Sequence, residues 1–487
     1  YEEDQIQAAS AFNLSADKSV SNKFTAADTV SDSSSKSASV QHISMQPSSE
    51  KSDSKIATAP SSSTHNEISS YDSLALAVDI GTTTIASNLI DTNQKKVLQT
   101  ITSINHQRIF GTDVLSRIDI ANQGRLLELQ RTILNDLDSI CEQFQLGKDI
   151  TKLSIPVIIS GNSTMQHLLQ KLSCESLGSF PFTPVDISMH SYKNMTILPG
   201  ISTYVGADIV SGIVACGIDQ KEEVSLLVDL GTNGEMVIGN KDRLLVTSTA
   251  AGPAFEGGDI SCGMRATDGA IESCTIDKDT MEPSYHVIGE EGEKPIGLCG
   301  SGIIDVIAEL FRTGIINPKG KFVREGKRVR HDEYGMGSYV LAFEEEAGSV
   351  RDVEINEVDI DNFIRAKGAI FSAIRTMLAS LDFDVEMIDD VYVAGGIGSG
   401  INMQNAVRIG MLPDIPMEKF HYIGNSSLSG AYTMLLSTEA ERKCYELASN
   451  MTYLELSTVP TYMDEFVACC FIPHTDTSLF PSSMQDE

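Results

Sequence analysis

The chain has 487 residues, 41% of them apolar and none of them tryptophan, which is enough for a large core and roughly two to four domains. A formal charge of −31 argues against nucleic acid and anionic membrane as partners and suits one with a basic face. No apolar run reaches the roughly 18 residues of a membrane span. The nine cysteines are scattered without a CxxC pair, and no signal peptide is visible. That profile predicts a reduced, cytoplasmic protein without a zinc or iron–sulfur site of its own.

Residues 1–73 contain 21 serines, 5 basic and 10 acidic residues, and show no periodicity. Such a segment buries too little apolar surface to offset its ordering entropy, so it reads as a disordered, Ser-rich linker. As a flexible coil it would reach about 45–50 Å end to end, which suits a tether, the alternative being a dispensable tail. The remaining −26 lies on 74–487.

The first lobe is expected over 74–220. Residues 76–84 read Leu-Ala-Val-Asp-Ile-Gly-Thr-Thr-Thr. This is a buried strand ending near Asp79, a tight turn at Gly81, Thr82, Thr83 and Thr84, and a returning strand through Ile90. Turn amides and threonine hydroxyls suit phosphate oxygens, and the glycine lets backbone approach a ligand. The aspartate suits hydrated Mg²⁺. Residues 126–146 have helical spacing, and 157–160 read as a buried strand. Gly161-Asn162-Ser163-Thr164 turns that strand into a helix carrying Met165, Leu168 and Leu169. His167 on this helix is expected to be packed or at the surface, since no second histidine stands at a metal-binding spacing. Val205-Gly-Ala-Asp208 opens a helix through Ala215, where the dipole favours an acid in the first turn.

The second lobe is expected over 221–487. Residues 226–234 repeat the phrase as Leu-Leu-Val-Asp-Leu-Gly-Thr-Asn-Gly, with Asp229, then Gly231, Thr232, Asn233 and Gly234, and Glu235 directly after the turn. Two such hairpins point to a duplicated domain closing on one nucleotide. Residues 249–269 form a Gly-rich loop long enough to be functional, containing Phe255, Glu256, Cys262, Met264 and Arg265. A helix follows Gly300–Gly302. Residues 316–356 read as charged, irregular surface excursions, and 361–381 as an amphipathic helix holding Lys367. Residues 391–400, Val-Tyr-Val-Ala-Gly-Gly-Ile-Gly-Ser-Gly, are a β-rich run entering a Gly-rich turn. That turn reads either as small-residue packing or as backbone laid against an adenosine. Gly424-Asn425-Ser426-Ser427 leads a small-residue helix expected near the hinge. Cys469 and Cys470 point to opposite faces if they lie on a strand.

Two Asp-Gly-Thr hairpins followed by an Ala-Gly-Gly turn resemble the actin, sugar-kinase and heat-shock-chaperone (ASKHA) ATPase superfamily. A finer set of motifs falls in one order: Asn-Ser-Thr-Met (162–165), Pro-Phe-Thr-Pro (181–184), Leu-Pro-Gly-Ile (198–201) and Val-Gly-Ala-Asp (205–208). Ala-Ala-Gly-Pro-Ala-Phe-Glu-Gly (250–257), Ile-Ser-Cys-Gly-Met-Arg-Ala (260–266), Cys-Gly-Ser-Gly (299–302) and Ala-Lys-Gly-Ala-Ile (366–370) continue it. Together they resemble the ATPase domain of the reductive activators of corrinoid proteins, over roughly 74–482.

The resemblance implies an α/β, two-lobed actin-like and sugar-kinase-like fold of duplicated ribonuclease-H-like domains. It implies ATP and Mg²⁺ as cofactors, with Asp79 and Asp229 holding the metal. Gly81, Thr82, Thr83, Thr84, Gly231, Thr232, Asn233 and Gly234 would cradle phosphates, and Gly395, Gly396 and Gly398 would line the adenosine. Related sugar kinases place the catalytic base in a Gly-x-x-Asp at this point, which makes Asp208 a candidate to orient the attacking water. Glu235 competes for that role, and Asp229 counts with both as catalytic. Lys367 matches a helix that lends a basic side chain to the nucleotide, the alternative being a solvated lysine. The implied reaction is ATP-dependent return of a corrinoid methyl-transfer protein from Co(II) to Co(I). The implied partners are that corrinoid protein and a ferredoxin-like electron donor, with the iron–sulfur cluster expected only on a missing or separate domain. The 249–269 loop would face the partner, with Ser261 or Cys262 approaching the cobalt. The reading admits a homodimer. The alternatives are a small-molecule kinase of the same superfamily and a non-catalytic nucleotide switch.

Overall fold

A computed structural model of the chain describes residues 73–396 and 400–484. The expected linker, apart from Ser73, and the expected adenosine residue Gly398 lie outside the described residues.

The apolar runs of the first lobe become β1 Leu74–Ile80, β2 Thr84–Asp91, β3 Lys96–Ile104, β4 Val157–Gly161, β5 His190–Tyr192 and β6 Met195–Ile197. They form one sheet in the order β3-β2-β1-β4-β6-β5. The rest of the chain supplies β7 Val224–Leu230, β8 Gly234–Gly239, β9 Leu244–Thr249, β10 Ala270–Ile276, β11 Pro283–Val287 and β12 Gly297–Leu298. It continues with β13 Val329–His331, β14 Gly337–Ala342, β15 Val353–Asn356, β16 Ile388–Ala394, β17 Phe420–Gly424 and β18 Thr452–Tyr453. Its main sheet runs β17-β16-β7-β8-β9-β18. Each lobe therefore pairs its Asp-bearing strand, β1 or β7, with an antiparallel return, β2 or β8, on one side. A parallel strand, β4 or β16, lies on the other side. The repeated phrase marks a repeated topology. Both Asp-bearing strands are buried along nearly their whole length, as the uninterrupted apolar runs require.

Helices cover the sheets. Leu126–Gln143 lays Leu129, Ile133, Leu137 and Ile140 on the first sheet in a helical stripe. Glu357–Leu381 packs into the second core through Phe363, Ile370, Ile374 and Met377. It begins earlier than the apolar pattern suggests, because Asn356 and Asp359 form a reciprocal capping box.

Two expectations are corrected. Residues 316–356 are not merely surface excursions: β13, β14 and β15 form a three-stranded sheet whose Tyr339, Leu341, Val353 and Ile355 are buried. Cys469 ends the helix Tyr462–Cys469 and Cys470 is its C-cap, so the pair lies on no strand. The two six-stranded sheets divide near 220, and one later helix packs back across that division. Leu428, Ala431, Tyr432 and Met434 of the helix Ser426–Leu436 join Ala77, Ile90 and Ile158 of the first sheet in one core.

That helix crosses Ala207–Cys216, an element buried on nearly every side. Val210 and Val214 face the first sheet's core, while Ile209 and Ile213 pack with Leu227, Val237 and Val246 of the second. The crossing is close: a Cβ at Gly430 would stand 2.0 Å from the Ser211 carbonyl oxygen. The small-residue helix expected after Gly424 is this Ser426–Leu436.

Candidate functional site in the interlobe cleft

The two hairpin turns project toward each other at the C-terminal ends of β1 and β7. Gly81 closes the first by donating its N–H to the Thr84 carbonyl at 2.9 Å. A Cβ at Gly81 would lie 2.7 Å from that same oxygen, so glycine is required there. Asn162, the N-cap of Ser163–Gln170, donates its Nδ2 to Thr82 Oγ1 at 3.0 Å. In the second turn Gly231 N–H donates to the Asn233 carbonyl at 3.1 Å, and Gly252 N–H to the Thr232 carbonyl at 3.0 Å. Thr83 Oγ1 and Thr232 Oγ1 stand 3.4 Å apart. Thr232 Oγ1 also donates to Glu256 Oε1 at 3.1 Å. Thr84 opens β2 and Gly234 opens β8.

Four carboxylates crowd the same cleft. Asp79 Oδ2 accepts from Asn425 Nδ2 at 2.7 Å, and its Oδ1 accepts from Ser427 Oγ at 2.8 Å. Ser426 Oγ reaches toward Asp229 Oδ2 at 3.5 Å. The start of the helix Ser426–Leu436 thus touches the aspartates of both lobes. Glu235 faces Asp229 directly across the β7–β8 ladder, the position where the first hairpin has Ala86 opposite Asp79. Like charges in that arrangement repel. Asp208, in the first turn of Ala207–Cys216, accepts from Ile209 N–H at 2.9 Å. Burial first, then the charges of Asp208 and Asp79, push the Asp229 carboxyl up to about 7. Burial and the Asp79 charge raise Asp208 as well. Burial, Asp208 and Asp229 hold Glu235 well above the ordinary range. Asp79 is also raised by burial, against the pull of its two hydrogen bonds. Groups so arranged cannot all ionise without a cation or a proton between them.

The remaining expected residues divide. Gly395 has φ +116°, and a Cβ there would stand 2.2 Å from the Leu230 carbonyl oxygen, so packing against the end of β7 explains it. Gly396 faces open space. Lys367 is corrected on both counts, being neither solvated nor turned toward the two hairpin turns. It is fully buried, and its Nζ donates to the Phe471 and Pro473 carbonyls. His167 is packed: its Nε2 accepts from Val185 N–H at 3.0 Å, and its Nδ1 lies 2.7 Å from the Ser163 carbonyl oxygen. Cys262 is buried, and Ser261 donates both its N–H and its hydroxyl to Asp359 Oδ1.

Sequence reasoning passed over Asn425 and Ser427 as site residues, although it singled out their run. A cluster of small polar residues at a helix start was the available signal. Glu256 was noted only as part of the long loop.

Glu465, Cys469 and His474 also gather three groups of metal-ligand type. His474 Nδ1 accepts from Asp476 N–H at 2.9 Å, which leaves the ring proton on Nε2, the atom facing Glu465 at 3.6 Å. Metal-bound histidines have the reverse polarity, donating from the nitrogen away from the metal. Together with Arg375 Nε at 3.1 Å, the cluster is a set of donors around the Glu465 carboxylate. Its His474 and Arg375 contacts hold that carboxyl below the usual range, against burial.

Among the described residues no helix is long and apolar enough to cross a membrane.

Residues 223–484 match the family model described as the C-terminal domain of RACo, the ASKHA domain, and 74–221 match the RACo middle region. The corrinoid activation enzyme RamQ of Eubacterium limosum is 33% identical over 415 residues, which are 80% of this chain and 69% of that protein. A Co(II) methylated amine-specific corrinoid protein reductase of Methanosarcina barkeri is 26% identical over 435 residues, 81% of this chain and 76% of its own. The solved structure of a reductive activator for corrinoid, iron–sulfur protein is similar with a TM-score of 0.76 and 42% identity, covering 85% of this chain and 68% of that one. Facing Asp-Gly-Thr turns on duplicated sheets are thus accompanied by a match along nearly all the described residues, and the chain belongs to the RACo family, the reductive activators of corrinoid proteins.

Proposed function

We propose that this chain binds MgATP across the two facing turns and couples its hydrolysis to the reduction of a corrinoid protein from Co(II) to Co(I). The observation that carries the reading is the meeting of the turns. Thr83 and Thr232, 149 positions apart, come within 3.4 Å of each other between the two aspartate-bearing strands. A triphosphate entering there receives hydroxyls and amides from both lobes and separates the two threonines. Asp79 and Asp229 would hold hydrated Mg²⁺, and the crowded, hard oxygen donors fit that ion. When bound, it supplies positive charge against the carboxylates and the phosphates. Gly396 lines the adenosine. Asp208, raised toward neutrality, takes the proton of the attacking water, with Glu235 the competing base.

The reduction is uphill for ordinary donors: about 59 mV of one-electron deficit corresponds to about 1.4 kcal/mol. ATP contributes only if its binding and hydrolysis shift the lobes between states that bind the Co(II) and Co(I) partner differently. The electron comes from a ferredoxin-like iron–sulfur donor. Mixing the chain with its Co(II) corrinoid protein, MgATP and Ti(III) citrate should produce the visible spectrum of Co(I) faster than the same mixture without ATP. Equal Co(I) yield with and without ATP would overturn the reading and favour a small-molecule kinase.

A further inference from the structure

The first phosphate turn is fixed from behind at every carbonyl. Asn105 Nδ2 donates to the Gly81 oxygen at 2.9 Å, and Asn105 N–H to the Thr83 oxygen at 3.0 Å. Between them, Arg117 NH2 donates to the Thr82 oxygen at 2.6 Å. In a trans peptide the carbonyl and the following N–H leave opposite edges of the plane. Carbonyls drawn inward at Gly81 and Thr82 therefore send the Thr82 and Thr83 amides the other way, away from Asn105 and Arg117. Neither amide has a backbone or side-chain acceptor among the described residues. Two oriented donors without acceptors form a cradle for an anion.

Arg117 is unusual in itself. It lies on the short helix Val114–Ile120 and is fully buried. Its Nε donates to the Gly111 carbonyl at 2.9 Å, and its NH1 lies 3.4 Å from both Gln107 Oε1 and Met165 Sδ. None of these partners is a carboxylate. Burial pulls its guanidinium down to about 10, with Asp113 opposing, so it stays charged at neutral pH. Buried charges are ordinarily paired with an opposite charge. This one abuts the turn through which anionic phosphates would enter a cleft already crowded with four acids.

We infer that Arg117 is a positioning residue of the nucleotide site, which locks the Thr82 peptide so that the Thr82 and Thr83 amides meet the phosphates and supplies the buried positive charge that offsets them. The inference rests on the nucleotide reading above and adds a residue on which phosphate recognition, but not adenosine recognition, depends.

The experiment compares wild type, Arg117→Lys and Arg117→Met by calorimetric titration with MgATP and with adenosine, after circular dichroism has established the fold of each. Loss of a hydrogen bond to a charged group predicts that Arg117→Met weakens MgATP binding by about tenfold or more. Arg117→Lys, which keeps the charge but not the planar fork, should fall between. Adenosine affinity should stay within about twofold for both. A residue that merely supports the fold would weaken both ligands together, and that result would overturn the inference, as would unchanged MgATP affinity. If Arg117→Met does not fold, Arg117→Lys decides on the same criterion. Failure of the wild type to bind MgATP at all would remove the nucleotide reading together with this inference, an outcome distinct from normal wild-type binding with unaltered variants.

Discussion

The anchoring of Asp79 lends itself to a quantitative test through Asn425→Asp. Asn425 does two things: its Oδ1 accepts from Leu428 N–H at 2.7 Å as the helix N-cap, and its Nδ2 donates to Asp79 Oδ2 at 2.7 Å. Aspartate caps helices as well as asparagine does, so the substitution keeps the first contact and removes only the second. Loss of a hydrogen bond to a charged group costs about 1.5–3 kcal/mol, and placing a second carboxylate against Asp79 adds repulsion. Ser427→Ala should cost a similar amount, because its hydroxyl bridges Asp79 Oδ1 and Ser160 Oγ, both at 2.8 Å. In urea unfolding without nucleotide, both variants should show a lower midpoint with an unchanged slope. Saturating MgATP should narrow the gap for Asn425→Asp, because the cation relieves the repulsion. A loss below about 0.5 kcal/mol in Asn425→Asp, the range of ordinary surface substitutions, would refute the claim that the Ser426–Leu436 helix holds the first-lobe aspartate.

Three further outcomes are expected. Asp208→Asn should slow single-turnover ATP hydrolysis by about 10²- to 10⁴-fold with nucleotide affinity little changed; a larger loss in Glu235→Gln would move the base to Glu235. Gly395→Ala should destabilise the protein by about 1–3 kcal/mol through its left-handed backbone alone, with the Leu230 contact adding to that, so an unshifted melting curve would contradict the packing account. Burial pulls Lys367 down to about 7, while an unfolded lysine titrates near 10.4. Between those values the unfolded chain binds more protons, so stability should rise with pH across that window and the rise should disappear in Lys367→Met, which chemical denaturation at several pH values would reveal.

The hairpins were readable because strand, turn and return are local, and because the phrase occurs twice. Their meeting across the cleft follows from that duplication. What holds the site in place was less legible. Asn425 and Ser427 act on a residue about 346 positions away, and a helix-start polar run has the same local appearance whether it caps a helix or grips a carboxylate. Arg117 sits in a stretch for which the sequence reading offered no role, and its hydrogen-bond partners come from three separate segments, 107–111, Met165 and Thr82. Lys367 shows the opposite failure: the superfamily resemblance implied a nucleotide contact, whereas a neutral amine has two hydrogens and the Phe471 and Pro473 carbonyls take two donors. The β13–β15 sheet was missed because its strands are short and separated by charged turns, which masks the alternation on which strand recognition relies.

The crossing of Ala207–Cys216 and Ser426–Leu436 has a mechanical consequence. Interdigitated side chains act like gear teeth and resist rotation of one helix over another. At Gly430 and Ser211 the backbones meet with no teeth between them. Such a joint can turn like a bearing while its close approach resists shear. Asn425, Ser426 and Ser427 stand one turn before Gly430 and touch Asp79 and Asp229, so a twist at the joint is felt directly at the two hairpin turns. A triphosphate that separates the two threonines would turn that joint, and the relative orientation of the lobes would change with it.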